Sequence, residues 1–252
     1  MKRSKLLVLI SVPILMLVVI LALLFYFGLL LFNNPSVEEY PVRGVDVSSY
    51  QGEIDWEILS EQDIHFAFIK ATEGSGYTDP YFSANYRGAQ ETDLRIGAYH
   101  FFSFDSSGKT QAENFIAAVP AADDMLPPVV DFEFYGEKEK NPPDACEARA
   151  ALDAMLQALE AYYGMKPIIY ATEKPYDVYL SGHYDEYDIW IRNVLTVPKP
   201  LNDQAWTFWQ YTNRARLEGY HGKEYYIDMN VFNGTMEAFN AYPADHSSIK
   251  IE

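Results

Sequence analysis

Asp131 and Glu133 close the run Val129-Val130-Asp131-Phe132-Glu133, two carboxyls one residue apart after an apolar stretch. In a β-strand alternate side chains share a face, so the pair points the same way, roughly 6–7 Å apart along the chain. Valines favour a strand, and Pro127-Pro128 marks its start. Two acids on one face at the end of a buried strand repel each other and acquire unequal proton affinities. Glycosidic bond hydrolysis needs such a pair, with one carboxyl protonated as the acid and one ionised.

The elements that must position this pair alternate along the chain. Strand-like segments are read at 44–47, 66–70, 96–101, 129–132, 167–171, 188–191, 206–211 and 225–229, with helical patterns at 54–62, 80–90, 109–119, 145–163 and 173–180. The clearest helix is 145–163, with Leu152, Met155, Leu156, Leu159 and Tyr163 on one face and Gly164 as its stop. Alternating short strands and helices predict a parallel sheet with crossover helices. Eight strands with helices concentrated in the first two-thirds predict a modified (β/α) barrel, TIM-like with its late helices reduced. Such barrels carry their chemistry at the C-terminal ends of the strands. Those ends hold Asp46, Glu73, His100, Asp131 with Glu133, Tyr170, Gln210 with Tyr211, and Asp228. Taken singly, Asp46 reads as a turn cap, Asp228 as a turn former and His100 as a hydrogen-bonded core histidine. Together they converge on one mouth.

Composition bounds the rest. From Leu6 to Phe32 no residue is charged, and only Ser11, Pro13 and Gly28 interrupt the apolar run. This run is long enough to cross a hydrocarbon core, and Lys2, Arg3 and Lys5 precede it, which keeps the N-terminus cytoplasmic. It lacks the short apolar core and small-residue ending of a cleaved signal. The expected organisation is a cytoplasmic stub and signal-anchor at 1–32, a linker at 33–41, a catalytic barrel at 42–243 and a tail at 244–252. The protein is thus expected in the cell membrane as a single-pass chain, held in the bilayer through residues 6–32, with the catalytic domain extracellular. The net charge is −17; the first 32 residues contribute three basic and no acidic side chains, so the remainder carries −20. Such a domain does not attract nucleic acid. Cys146 is the only cysteine, so no internal disulfide forms, and no His-Glu-x-x-His motif suggests zinc. No metal or other cofactor is expected.

The motifs, in order, resemble those of glycoside hydrolase family 25, the Chalaropsis-type muramidases. They run through Gly44-Val45-Asp46-Val47-Ser48 with Gln51-Gly52 and Ile54-Asp55-Trp56, then Phe66-Ala67-Phe68-Ile69-Lys70-Ala71-Thr72-Glu73-Gly74 and Asp79-Pro80-Tyr81-Phe82 with Asn85. They continue with Gly97-Ala98-Tyr99-His100-Phe101-Phe102, Asp131-Phe132-Glu133, Trp209-Gln210-Tyr211 and Ile227-Asp228-Met229-Asn230-Val231-Phe232. One segment departs: after Ile189-Trp190-Ile191 the family's Ala-x-Tyr is replaced by Arg192-Asn193-Val194. The resemblance implies cleavage of the β-1,4 bond between N-acetylmuramic acid and N-acetylglucosamine in peptidoglycan glycan strands. It implies Glu133 as the proton donor, its pKa raised by an Asp131 anion and an apolar setting. Asp131, Asp46 and Asp228 supply charge near the oxocarbenium-like centre or hold the 2-acetamido group and water. Tyr99, Tyr170, Trp209, Gln210 and Tyr211 are the expected substrate contacts, the aromatic members by stacking on sugar rings. The alternative is a wall-glycan binding or envelope-scaffold domain on the same fold without turnover.

Overall fold

The computed structural model describes residues 3–31, 33–199 and 204–243. The expected tail at 244–252 lies outside these. The strands are β1 (Arg43–Val47), β2 (Phe66–Glu73), the short β3 (Tyr77–Thr78), β4 (Arg95–Phe101), β5 (Val129–Asp131), β6 (Ile168–Thr172), β7 (Ile189–Arg192), β8 (Phe208–Ala215) and β9 (Ile227–Phe232). Eight of them close into a barrel in the order β1-β2-β4-β5-β6-β7-β8-β9, with β9 returning to β1 and β3 lying outside against β2. Every neighbouring pair from β1 to β8 is parallel, but β9 runs antiparallel to both β8 and β1. The expected all-parallel sheet is corrected at this strand. With no crossover helix in front of it, β9 returns directly from β8 and must therefore run the other way.

Around the barrel lie α2 (Trp56–Ser60), α3 (Phe82–Gln90), α4 (Gly108–Ala118), α5 (Ala145–Tyr163), α6 (Glu173–Pro175, continued by a π turn over Tyr176–Leu180) and α7 (Met236–Asn240). A single long apolar helix, α1 (Arg3–Tyr26), precedes them. The α5 boundaries follow from its caps. Asp144 accepts from the Cys146 and Glu147 N–H groups, and Gly164 takes the left-handed conformation at φ 69°. Late helices are reduced as expected, α6 being one turn and α7 five residues long.

Strand alternation divides the side chains cleanly. Phe66, Phe68, Val129, Ile168, Trp190, Phe208 and Phe232 fill the barrel interior. Val45, Ala67, Ile69, Val130, Ile169, Ile191 and Val231 face the helices. Gly44 and Gly97 belong to the inner set by position. A Cβ at either would come within 2.5 Å of the Phe66 or Phe68 ring, so glycine here makes room for the aromatic core. At the N-terminal end of the barrel α7 brings Phe239 against Phe66 and Phe232, with ring centroids 5.5 and 5.2 Å away. One end is thus plugged by apolar side chains, and the polar residues of the inner face collect at the other.

Candidate active site

The inward alternation that fills the barrel with Phe66 and Phe68 places Lys70 at the mouth. The same step raises Tyr99 on β4, Asp131 on β5, Tyr170 on β6, Arg192 on β7 and Gln210 on β8. Asp46 tops β1 and pairs in register with Asp228, which opens β9. Asp228 therefore reaches the mouth from the start of its strand, not from a C-terminal end, because β9 is reversed. A cleft of about 210 Å³ between these residues is lined by Asp46, Tyr99, Asp131, Glu133, Tyr170, Trp190, Gln210 and Asp228, with Tyr50, Gln51, Lys70, Phe101 and Glu224 among its walls. A larger hollow of about 870 Å³ lies at the opposite end, by α2, α3 and α7. Its acids do not converge, and the chemistry belongs to the smaller cleft.

Two amide side chains hold the carboxyls in place. Gln210 Nε2 donates to Asp46 Oδ2 at 2.8 Å and to Asp228 Oδ2 at 3.1 Å, while its Oε1 accepts from Tyr170 OH at 3.1 Å. Asn230 Nδ2 donates to Asp46 Oδ2 at 2.8 Å and its Oδ1 accepts from Trp190 Nε1, also at 2.8 Å. Because neither amide can rotate without losing a buried partner, Asp46 and Asp228 are fixed before any substrate arrives.

Burial pushes all four carboxyls upward. Asp46 is raised to about 6, opposed by the Asn230 and Gln210 amides and by the Arg192 charge. Asp228 rises well above the ordinary range through burial and the Asp46 charge. Asp131 rises well above it as well, through burial and then the Glu133 charge, and its buried Oδ1 has no hydrogen-bond partner. Glu133 is raised by burial and the Asp46 charge, with Arg192 and Lys70 pulling the other way. Asp131 and Glu133 thus titrate as a pair, both raised, in place of the expected one-way push on Glu133. Tyr99 and Tyr170 are held neutral by burial and the surrounding acids; the Tyr170 O–H is given to Gln210, while Tyr99 keeps a phenolic O–H at the cleft.

Trp209 and Tyr211 do not join the site. They alternate with Gln210, so the turn that brings the amide inward sends both rings out. Trp209 donates through Nε1 to the Asn193 carbonyl at 2.8 Å and stacks in the outer layer with Tyr40 and Trp206. Tyr211 OH lies 3.5 Å from Arg43 Nη1. Their expected sugar-stacking role is corrected to packing. Glu73 turns aside as well, paired with Lys70 Nζ at 2.9 Å. His100 is a core histidine. Its Nε2 faces Gln111 Oε1 at 3.1 Å and its Nδ1 faces Thr72 Oγ1 at 2.7 Å, and burial lowers its pKa to about 4. Asp79 and Asn85 fasten the loop after β1. Asp79 accepts from Ser49 N, while Asn85 accepts from Ile54 N and donates to the Gly52 carbonyl.

The residues missed from sequence are the two cations. Lys70 was read only as the end of a strand. Arg192 was visible as a departure from a pattern, with no role attached. Its charge acts on Asp46, Glu133 and Asp228 together. Arg192→Gln should therefore raise the pKa of all three and move both limbs of the pH–rate profile to higher pH, whereas Arg192→Lys should leave the profile close to wild type. Initial rates from pH 3 to 9 test this, and unmoved limbs in Arg192→Gln would remove the arginine from the site's electrostatics. Among the described residues no three His, Cys, Asp or Glu side chains are arranged to hold a metal ion.

The profile of Glycosyl hydrolases family 25 matches residues 45–220. The chain belongs to this family. A family 25 glycosyl hydrolase from Bacillus anthracis has 54% sequence identity and superposes at a TM-score of 0.79, over 82% of this chain and 96% of that one. The Uncharacterized protein YegX of Escherichia coli K12 is 38% identical over 81% of this chain and 74% of its own length. Lysozyme M1 of Streptomyces globisporus is 32% identical over 77% and 68%. Membership makes the chain a glycoside hydrolase, and the mixed barrel with its single reversed strand is the family 25 fold.

Proposed function

We propose that the chain is a membrane-tethered muramidase that hydrolyses the β-1,4 bond between N-acetylmuramic acid and N-acetylglucosamine in peptidoglycan. The observation that carries this reading is the set of four carboxyls converging on one cleft in a family 25 barrel. Relatives named lysozyme and N,O-diacetylmuramidase support the substrate class. In this reading Glu133 is the general acid. Burial and the Asp46 charge raise its carboxyl, and it gives its proton to the leaving glycosidic oxygen. Asp131, Asp46 and Asp228 hold negative charge opposite the oxocarbenium-like carbon. The neutral phenol of Tyr99 donates to the sugar's acetamido or hydroxyl oxygens, and the Tyr170 oxygen accepts from a sugar hydroxyl. Lys70 and Arg192 keep the charge of the cleft from becoming prohibitive.

The tether reading rests on α1. Twenty-four helical residues span about 36 Å, more than a hydrocarbon core needs. Within it, the window Leu9–Tyr26 has mean hydropathy 2.9 and is 0% buried against the barrel. So much exposed apolar surface calls for lipid. The experiment uses the full-length chain in detergent with purified peptidoglycan, followed by borohydride reduction of the products. Muramitol at the new ends is expected; glucosaminitol would assign the other glycosidic bond. Glycan binding without new reducing ends would leave the non-catalytic alternative. Membranes washed in high salt should retain the full-length chain, and a mature chain in the medium beginning near Asn33 would show α1 to be a cleaved signal.

A further inference from the structure

The outer end of α1 does not dangle from the barrel. Gly28, at φ 63°, ends the helix with two reversed hydrogen bonds: its own N–H to the Phe25 carbonyl and the Leu29 N–H to the Leu24 carbonyl. This closure leaves the Tyr26 carbonyl among the unsatisfied groups of the last turn. Two barrel side chains take it: Tyr226 OH donates at 2.8 Å, and Arg214 Nη2 donates to the same oxygen. The guanidinium of Arg214 also lies 5.7 Å from the Tyr26 ring and 4.5 Å from the Tyr226 ring, a cation placed at the negative end of the helix. Gly28 is required in this contact, because a Cβ there would lie 2.4 Å from the Arg214 carbonyl oxygen.

Arg214 and Tyr226 flank the connection between β8 and β9. This segment also carries Arg216, 5.4 Å from the Tyr226 ring, together with Lys223 and the solvent-facing Tyr225, which is 84% exposed. Glu218 and Glu224 are its acids. Its other side belongs to the cleft. Glu224 lines it, Glu224 N donates to the Tyr50 carbonyl, and Gln51 donates to the Tyr226 carbonyl at 3.1 Å.

We propose that the β8–β9 connection is a membrane-surface foot. It grips the outer end of α1, lies in the headgroup layer of an anionic bilayer, and holds the catalytic mouth beside the membrane, directed to the glycan nearest the lipid. The inference rests on the tether reading above. If α1 spans the core, Tyr26 ends it at the outer interface, where tyrosines and basic side chains settle. Arg214 and Tyr226 touch Tyr26 and so share its depth. The domain's large negative charge makes this basic and aromatic strip the face on which it can approach anionic lipid, within a Debye length of about 8–10 Å.

The test uses the full-length chain with Cys146→Ser, carrying either Tyr225→Cys or Tyr162→Cys, labelled with an environment-sensitive fluorophore. The chain is reconstituted in vesicles of about 30% phosphatidylglycerol doped with a headgroup spin-label quencher. Tyr162 lies near the end of α5, on the exposed side of a helix packed against α4. Quenching at position 225 should exceed that at 162 by at least about twofold, as expected for a site at headgroup depth. Both Arg214→Glu and Gly28→Ala should bring it to the level of 162. Gly28→Ala alters no barrel residue, so loss of quenching there is not misfolding of the barrel. Co-flotation with vesicles but equal, weak quenching at both sites overturns the foot and leaves the tether standing. Failure to float with vesicles overturns both.

Discussion

Replacing Glu133 by glutamine should leave the barrel folded and lower glycan cleavage by at least about two orders of magnitude, the usual scale for a lost general acid. The side chain is only half-buried at the cleft and accepts no hydrogen bond from the described residues, so the amide can occupy its place without breaking a structural contact. Circular dichroism and the thermal midpoint should match wild type while release of reducing ends falls. A variant with most of its activity intact would remove Glu133 from the reaction and turn attention to Asp131 and Asp228, the carboxyls raised furthest.

Asp131→Asn should produce the second large loss, with a different signature. Burial and the charge of Glu133 hold the Asp131 carboxyl well above its usual range. Repulsion is mutual, so removing the acid relieves Glu133 and lowers its pKa. The proton that catalysis needs is then lost at lower pH, and the basic limb of the rate profile moves down. Activity should fall by about 10²-fold or more near neutrality and recover in part toward acid pH, where Glu133 is again protonated. A uniform loss at every pH would assign Asp131 to charge stabilisation alone. Stability should move oppositely. A carboxyl raised by folding costs stability above its unfolded pKa, and for Asp46, raised from 3.8 to about 6, the penalty grows between those values to roughly 3 kcal/mol. Asp131→Asn, which removes a buried carboxyl raised by folding, should therefore raise the thermal midpoint at pH 7.

Much of this was readable from residue order, and the limits have physical causes. α5 was legible because its apolar periodicity and its Gly164 stop agree, and the structure adds the Asp144 cap. The strands were legible by their apolar alternation, which is local. The direction of β9 was not, since a strand's sense is set by its neighbours, and nothing in Ile227–Phe232 records that β1 waits on its far side. The five-residue α7 is too short to show a period. Within the site, Asp46, Asp131, Glu133, Gln210 and Asp228 were named and do meet. Trp209 and Tyr211 were named against the rule that had selected Gln210, because adjacent residues of a strand cannot share a face. Arg192 needed the barrel. Only closure brings it over three acids contributed by β1, by the segment after β5 and by β9.

The seam between β1 and β9 joins one end of the barrel sequence to the other, with Asp46 opposite Asp228. The polypeptide leaves the ribosome from its N-terminus, and Asp46, Asp131 and Glu133 emerge long before Gln210, Asp228 and Asn230. Until the last of these arrives, Asp46 has neither of its amide donors and the cleft has no far wall. Long-range strand pairing of this kind is also the slow part of folding. A partly made chain therefore carries its acids without a working site. The position of one strand thus acts as an interlock, because hydrolysis waits until synthesis is complete.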